Sequence, residues 1–204
     1  MLARLLNQTY EGNEGKFTNS DWQTITFVNN HIYRHKVLRI NYTTYDVHCA
    51  QDSLNPRTHT DVMVLSHEDK DEDPHPYWYT QIIGVFHAQV WHMGPRSKST
   101  DVQWMDFLWV WWFGHDLNYQ AGWNAKRLYR LGFLHPEDSG GAFGFLDPNE
   151  VICRIHLIPT FAYGRTSDIL TPSIARQPHE NNEDWVFYYV NMCMKVNHVL
   201  IDYS

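Results

Sequence analysis

The sequence predicts a mainly β fold, a barrel or a sandwich with short helical turns, and three observations predict it. Eight short runs rich in apolar and β-branched residues recur along the chain, turn clusters separate them, and no stretch sustains a capped 3.6-residue periodicity. The runs cover residues 24–28, 33–45, 61–65, 77–90, 105–113, 127–133, 151–157 and 185–192. At 204 residues the chain is long enough to bury one core without disulfide or metal support.

Taken in order, residues 1–21 are polar and glycine-dotted, so they are expected to be a flexible leader, with one mainly β domain over 22–192 and an atypical tail over 193–204. In the run YWYTQIIGVFHAQV (77–90), one face carries Trp78, Ile82, Phe86, Ala88 and Val90 and is expected to be core. The other carries Tyr77, Tyr79, Gln81, His87 and Gln89. The run 105–113 is apolar on both faces: Leu108, Val110 and Trp112 on one, Phe107, Trp109, Trp111 and Phe113 on the other. It is either a central strand or an aromatic platform. Turns are expected at 53–56, 73–76, 94–95, 138–141 and 147–148, where Pro fixes φ, Gly tolerates positive φ and Asp bonds its own backbone. Asp147 followed by Pro148 reads as the cap and first residue of a short helical turn.

Composition narrows the function. Hydrophobic residues make up 43% and charged residues 19%, which is too apolar for a disordered chain. No apolar run reaches the roughly 18 residues that span a bilayer, so no membrane partner is expected. Sixteen Lys and Arg against 23 Asp and Glu give a net charge of −7, which repels phosphate backbones unless charge is local. The local exceptions are HIYRHKVLR (31–39), with Arg34, Lys36 and Arg39, and residues 125–130, with Lys126, Arg127 and Arg130. The acidic runs at 67–73 and 179–184 read as solvated loops. Cys49, Cys153 and Cys193 are odd in number and widely spaced, as in a reducing compartment. The opening MLARLL is shorter than the core of a secretory signal. An intracellular location, nuclear or cytoplasmic, is expected, and the sequons at Asn7 and Asn41 read as chance matches.

No sequence pattern supplies enzyme chemistry. G-x-S-x-G, G-x-G-x-x-G and G-x-x-x-x-G-K-[ST] are all missing from the sequence, so neither a cofactor nor a small-molecule substrate is identified. His31 and His35 stand four apart, but on a strand that spacing is roughly 13 Å, too far for joint ligation. No metal is therefore expected. The leading enzymatic alternative is a metal-dependent nucleic-acid centre on Asp46, Asp52 and Asp61. Asp52 and Asp61 flank a Ser-Leu-Asn-Pro-Arg turn, where Asp more simply caps the turn.

Several stretches carry a resemblance. YWYTQIIGVFHA, MDFLWVWWFG, FGFLDPNEVICRIHLIP and EDWVFYYVNM resemble the bromo-adjacent homology (BAH) layout over about residues 60–192. Tyr79, Ile82 and Ile83 fit its first strand motif, and Val110, Trp112 and Phe113 its second. That resemblance implies a distorted β-barrel of chromatin-associated type. The stretches 32–47, 51–66, 75–90, 105–114, 143–166 and 173–192 are also similar to the tail region of long transposon-encoded proteins of mushroom-forming fungi, of the Plavaka and KDZ kind. Trp111 stands where those relatives carry Arg, and the sequence after Met192 leaves their pattern, as in a truncated or decaying copy. The resemblance carries over no catalytic residue.

The remaining class is binding. An aromatic cage for a methylated lysine, held by cation–π attraction, is expected to draw on Tyr77, Trp78, Tyr79, Trp109 or Trp111, unless those rings are core packing. Arg34, Lys36 and Arg39 are the candidate contacts to a nucleic-acid backbone. The expected function is thus a non-enzymatic module, transposon-derived, for protein or chromatin partners. A remnant without selected activity is the third reading.

Overall fold

A computed structural model describes residues 18–43, 49–58, 61–66, 75–94, 97, 99, 101–122, 124–137, 141–177, 181–191 and 200–202. The fold is mainly β. A four-residue helix, α1 (Asn19–Trp22), precedes β1 (Ile25–His35), β2 (Leu38–Thr43), β3 (Cys49–Leu54) and β4 (Asp61–Leu65). Two long strands follow, β5 (Tyr77–His92) and β6 (Gln103–His115), then β7 (Arg130–Phe133) and β8 (Phe143–Leu146). A 3₁₀ turn (Pro148–Glu150) leads to β9 (Val151–Arg154) and β10 (His156–Pro159), and a second (Phe161–Tyr163) to β11 (Arg165–Thr166), β12 (Asp184–Trp185), β13 (Tyr188–Asn191) and β14 (Leu200–Asp202).

The large sheet runs β10-β13-β7-β6-β5-β4-β9, with β1 added to β5 and β8 to β6, and its described pairings are antiparallel. No closed barrel is found among the described residues. The two ends of the path, β9 and β10, are nevertheless separated in sequence by Ile155 alone, whose N–H donates to the Asp61 carbonyl at 2.9 Å. Strands β14, β2 and β3 make a separate three-stranded sheet.

The sequence periodicity slips at one place. Strands β5 and β6 pair continuously from Tyr79 opposite Phe113 to Val90 opposite Gln103, except between Ile82 and Gly84, where the register shifts. A bulge of this kind moves every later side chain to the other face. Ile82 and Val85 therefore share one core with Leu108 and Val110, joined by Leu38, Ile40 and Leu54 from β2 and β3. Tyr79 belongs to a second core on the opposite face, and Ala88 and Val90 to a third. This corrects the single-faced alternation expected for 77–90: Trp78 and Ile82 do not share a face with Phe86, Ala88 and Val90. Gly84 permits the bulge, because a Cβ there would lie 2.5 Å from the Phe86 ring.

Other boundaries moved for local reasons. The run expected over 33–45 breaks at Lys36 and Val37, and its halves enter different sheets. Strands β3 and β8 were not expected, being short; β3 overlaps the turn signal at 53–56 and β8 begins just after the one at 138–141. The Asp147 cap is as expected, its Oδ1 accepting the Asn149 N–H at 2.8 Å. Residues 1–17 of the expected leader lie outside the described residues, as does most of the expected tail. Leu200–Asp202 is described, pairing with Asn41–Arg39 of β2.

Candidate interaction surface

The five rings expected to form a cage are divided by strand alternation. Trp111 is 2% exposed; its ring stacks on Phe133 at a centroid distance of 3.9 Å and its indole N–H donates to the Leu134 carbonyl at 3.0 Å. Tyr79 is fully buried, and burial, followed by the nearby Tyr129, Tyr77 and Cys153, holds its hydroxyl well above the usual phenol range. Tyr77 packs on the same core as Tyr79, whereas Trp78 meets Trp112 edge-on at 5.9 Å beside the other core. Trp109 is half-buried near Phe143. The five rings serve both faces of a two-sided sheet, and two of them, Tyr79 and Trp111, are interior packing.

A ring box does exist, and the chain fills it. Arg130 lies 4.2 Å from the Tyr119 ring centroid, 4.8 Å from Tyr163 and 4.6 Å from Phe187. Its Nη1 donates to the Tyr163 hydroxyl at 2.7 Å, and Asp116 accepts from Nε and Nη2. The cation that such rings attract is already part of the protein.

The open ring surface lies elsewhere. Tyr33 of β1, His87 of β5 and Asp106 of β6 follow one another across three neighbouring strands of the large sheet. Tyr33 stacks on His87 with centroids 4.7 Å apart and planes 13° apart, and His87 meets Trp104 at 4.7 Å and 32°. His31 extends the row beyond Tyr33 at 6.3 Å. Tyr33 is 43% exposed and Trp104 63%. His35 meets His87 through facing nitrogens 2.6 Å apart. Burial, then the neighbouring His35, lowers the His87 pKa, while Asp106 opposes the shift. Alternation had placed His87 outward, but Trp104 fell just before the expected strand and Tyr33 was read only as a strand residue. The usable signal was the alternation His31, Tyr33, His35, which puts three rings on one face.

The basic residues do not line one track. Arg34 is exposed with its guanidinium 6.0 Å over Phe86, opposite Phe86 in the register and one residue out of phase with Tyr33. Lys36 is exposed at the turn, and Arg39 is half-buried in β2 between Ser53 and Asp202. Of the three acids, Asp46 lies outside the described residues. Asp52 accepts the Arg154 N–H at 3.2 Å, and Asp61 opens β4 opposite Gln81. Among the described residues no three His, Cys, Asp or Glu side chains converge to hold a metal ion, and Cys153 is a buried free thiol.

Two clefts lie among the described residues. One of about 310 Å³ is lined by Arg165, Trp185, Glu183 and Asp184. The other, about 300 Å³, is lined by His75, His115, Tyr119, Tyr129, Asp116 and Arg130. There burial, followed by His75, lowers the His115 pKa to about 4 against the opposing Tyr77 backbone bond, and its Nε2 is buried without a partner.

Compared with known protein families, curated proteins and solved structures, this chain matches none. No helix among the described residues is long and apolar enough to cross a membrane.

Proposed function

We propose that this chain is a non-enzymatic interaction module that binds a chromatin partner through the Tyr33–His87–Trp104 row. The observation that carries this reading is that row: three rings stacked at 4.7 Å spacings, the outer two 43% and 63% exposed. Large rings kept in water on a rigid sheet form the kind of anchor that partners bury. A net charge of −7 favours basic protein surfaces, histones among them, over naked DNA. The reading draws on the resemblance of residues 32–192 to transposon-encoded tails and of residues 60–192 to the BAH layout. The nearness in sequence of β9 and β10, at the two ends of the sheet path, is the feature in keeping with a distorted barrel. A nuclear location belongs to the same proposal.

The test is a salt-controlled titration of the purified protein against mononucleosomes, duplex DNA and single-stranded DNA, with and without Mg²⁺. Binding to nucleosomes that exceeds binding to either naked DNA is expected. Preference for single strands would move the reading to base stacking on the same rings, and Mg²⁺-dependent cleavage would replace it with an enzyme.

A further inference from the structure

We propose that His35 and His87 form a two-imidazole chelate for a divalent transition ion, and that copper(II) is the ion it takes best. The two rings meet across neighbouring strands, where sequence spacing cannot show them as a pair. Their facing nitrogens, Nε2 of His35 and Nδ1 of His87, are 2.6 Å apart, with ring centroids at 4.8 Å and planes tilted by 31°. Without an ion this is an N–H···N hydrogen bond. Two imidazole nitrogens each about 2.0 Å from one metal ion, at near-right to tetrahedral angles, stand roughly 3 Å apart. To admit the ion, the nitrogens separate by a few tenths of an ångström and the rings turn so that both lone pairs meet it.

Three neighbours make the site more than a chance pair. Tyr33 and Trp104 hold the His87 ring between them at 4.7 Å on each side, so one ligand is oriented before an ion arrives. Asp106 lies opposite His87 in the strand register, on β6, and bears on its ring electrostatically.

The ligand count selects the ion. Two protein nitrogens are too few for a structural zinc site, which takes four ligands from the chain. Copper(II) stands at the top of the affinity order for nitrogen donors and accepts a tetragonal set completed by water. The positions beyond the two imidazoles can also take a donor atom from a partner. This site requires no partner to load, so it goes beyond the interaction reading and fails independently of it.

The test uses the whole chain and copper(II) alone at pH 7.4 in a non-chelating buffer, followed by electron paramagnetic resonance and tryptophan fluorescence. One tightly bound ion with two nitrogen ligands is expected, with quenching of Trp104, whose ring neighbours His87. His35→Ala and His87→Ala are each expected to weaken binding by about tenfold or more. Trp104→Phe is expected to keep the copper spectrum and lose most of the quench. If His87→Ala unfolds by circular dichroism, His35→Gln at the end of β1 carries the test. An unchanged copper spectrum in the folded His35 variants, or no bound copper in the parent chain, would overturn the proposal.

Discussion

The guanidinium of Arg130 closes on the carboxylate of Asp116 through Nε at 2.8 Å and Nη2 at 2.5 Å. The two side chains are 10% and 8% exposed and line the same cleft. Arg130→Ala is expected to cost about 3 kcal/mol, mostly because Asp116 is left buried and unpaired. Arg130→Met combined with Asp116→Leu should recover much of that loss. A double-mutant cycle by urea unfolding measures both values.

Trp111 and Trp104 make opposite predictions from the same strand. Trp111→Ala opens a void against Phe133 and removes the bond to Leu134, with an expected loss of about 3 to 5 kcal/mol. Trp111→Arg is expected to cost still more, since it brings a second cation to the place where Arg176 already lies 5.7 Å from the Trp111 ring. Trp104→Ala, at 63% exposed, should stay within about 0.5 kcal/mol of the parent. Thermal and urea unfolding of the three variants decide this.

Gly84 tests the bulge. A Cβ 2.5 Å from the Phe86 ring forces that ring or the strand to move, so Gly84→Ala is expected to destabilise by about 1 to 3 kcal/mol. Because the bulge sets which face His87 occupies, the variant should also weaken the copper-dependent quench of Trp104. Urea unfolding and the fluorescence titration report the two effects separately.

Acid should weaken the fold. His115, with its pKa lowered to about 4, stays neutral in the folded chain while an unfolded histidine takes a proton near pH 6.5. The unfolded state then binds more protons, so stability present above pH 6.5 is lost as pH falls from there towards 4. His87, shifted in the same direction, adds to the slope. The surroundings of His115 include His75, Tyr79 and Tyr129, and Asp116 lines the same cleft. His115→Gln is expected to flatten the loss measured by urea unfolding at a series of pH values.

The mainly β class was legible in the sequence because period-2 alternation and turn residues are local properties. Both long strands were found, since 77–90 and 105–113 are nearly unbroken apolar runs. The bulge between Ile82 and Gly84 was not found: a lone glycine in a strand fits a bulge, but its effect on face depends on the Phe86 ring and the β6 partner. The exposed ring row was not found for the same reason. Nothing local distinguishes Trp111, covered by Phe133, from Trp104, which stays exposed. The box around Arg130 gathers Tyr119, Tyr163 and Phe187 from three distant segments, and the His35–His87 pair spans 52 positions. Such contacts are properties of strand order, which periodicity does not encode.

The central claim is that the exposed ring row is the contact surface. The most direct measurement compares mononucleosome affinity of the parent chain with that of a folded Tyr33→Ala, Trp104→Ala double variant, with a copper chelator present throughout. Loss of binding by about tenfold or more, with unfolding free energy little changed, is the expected result. Nucleosome binding that is equally tight in both proteins would contradict the account.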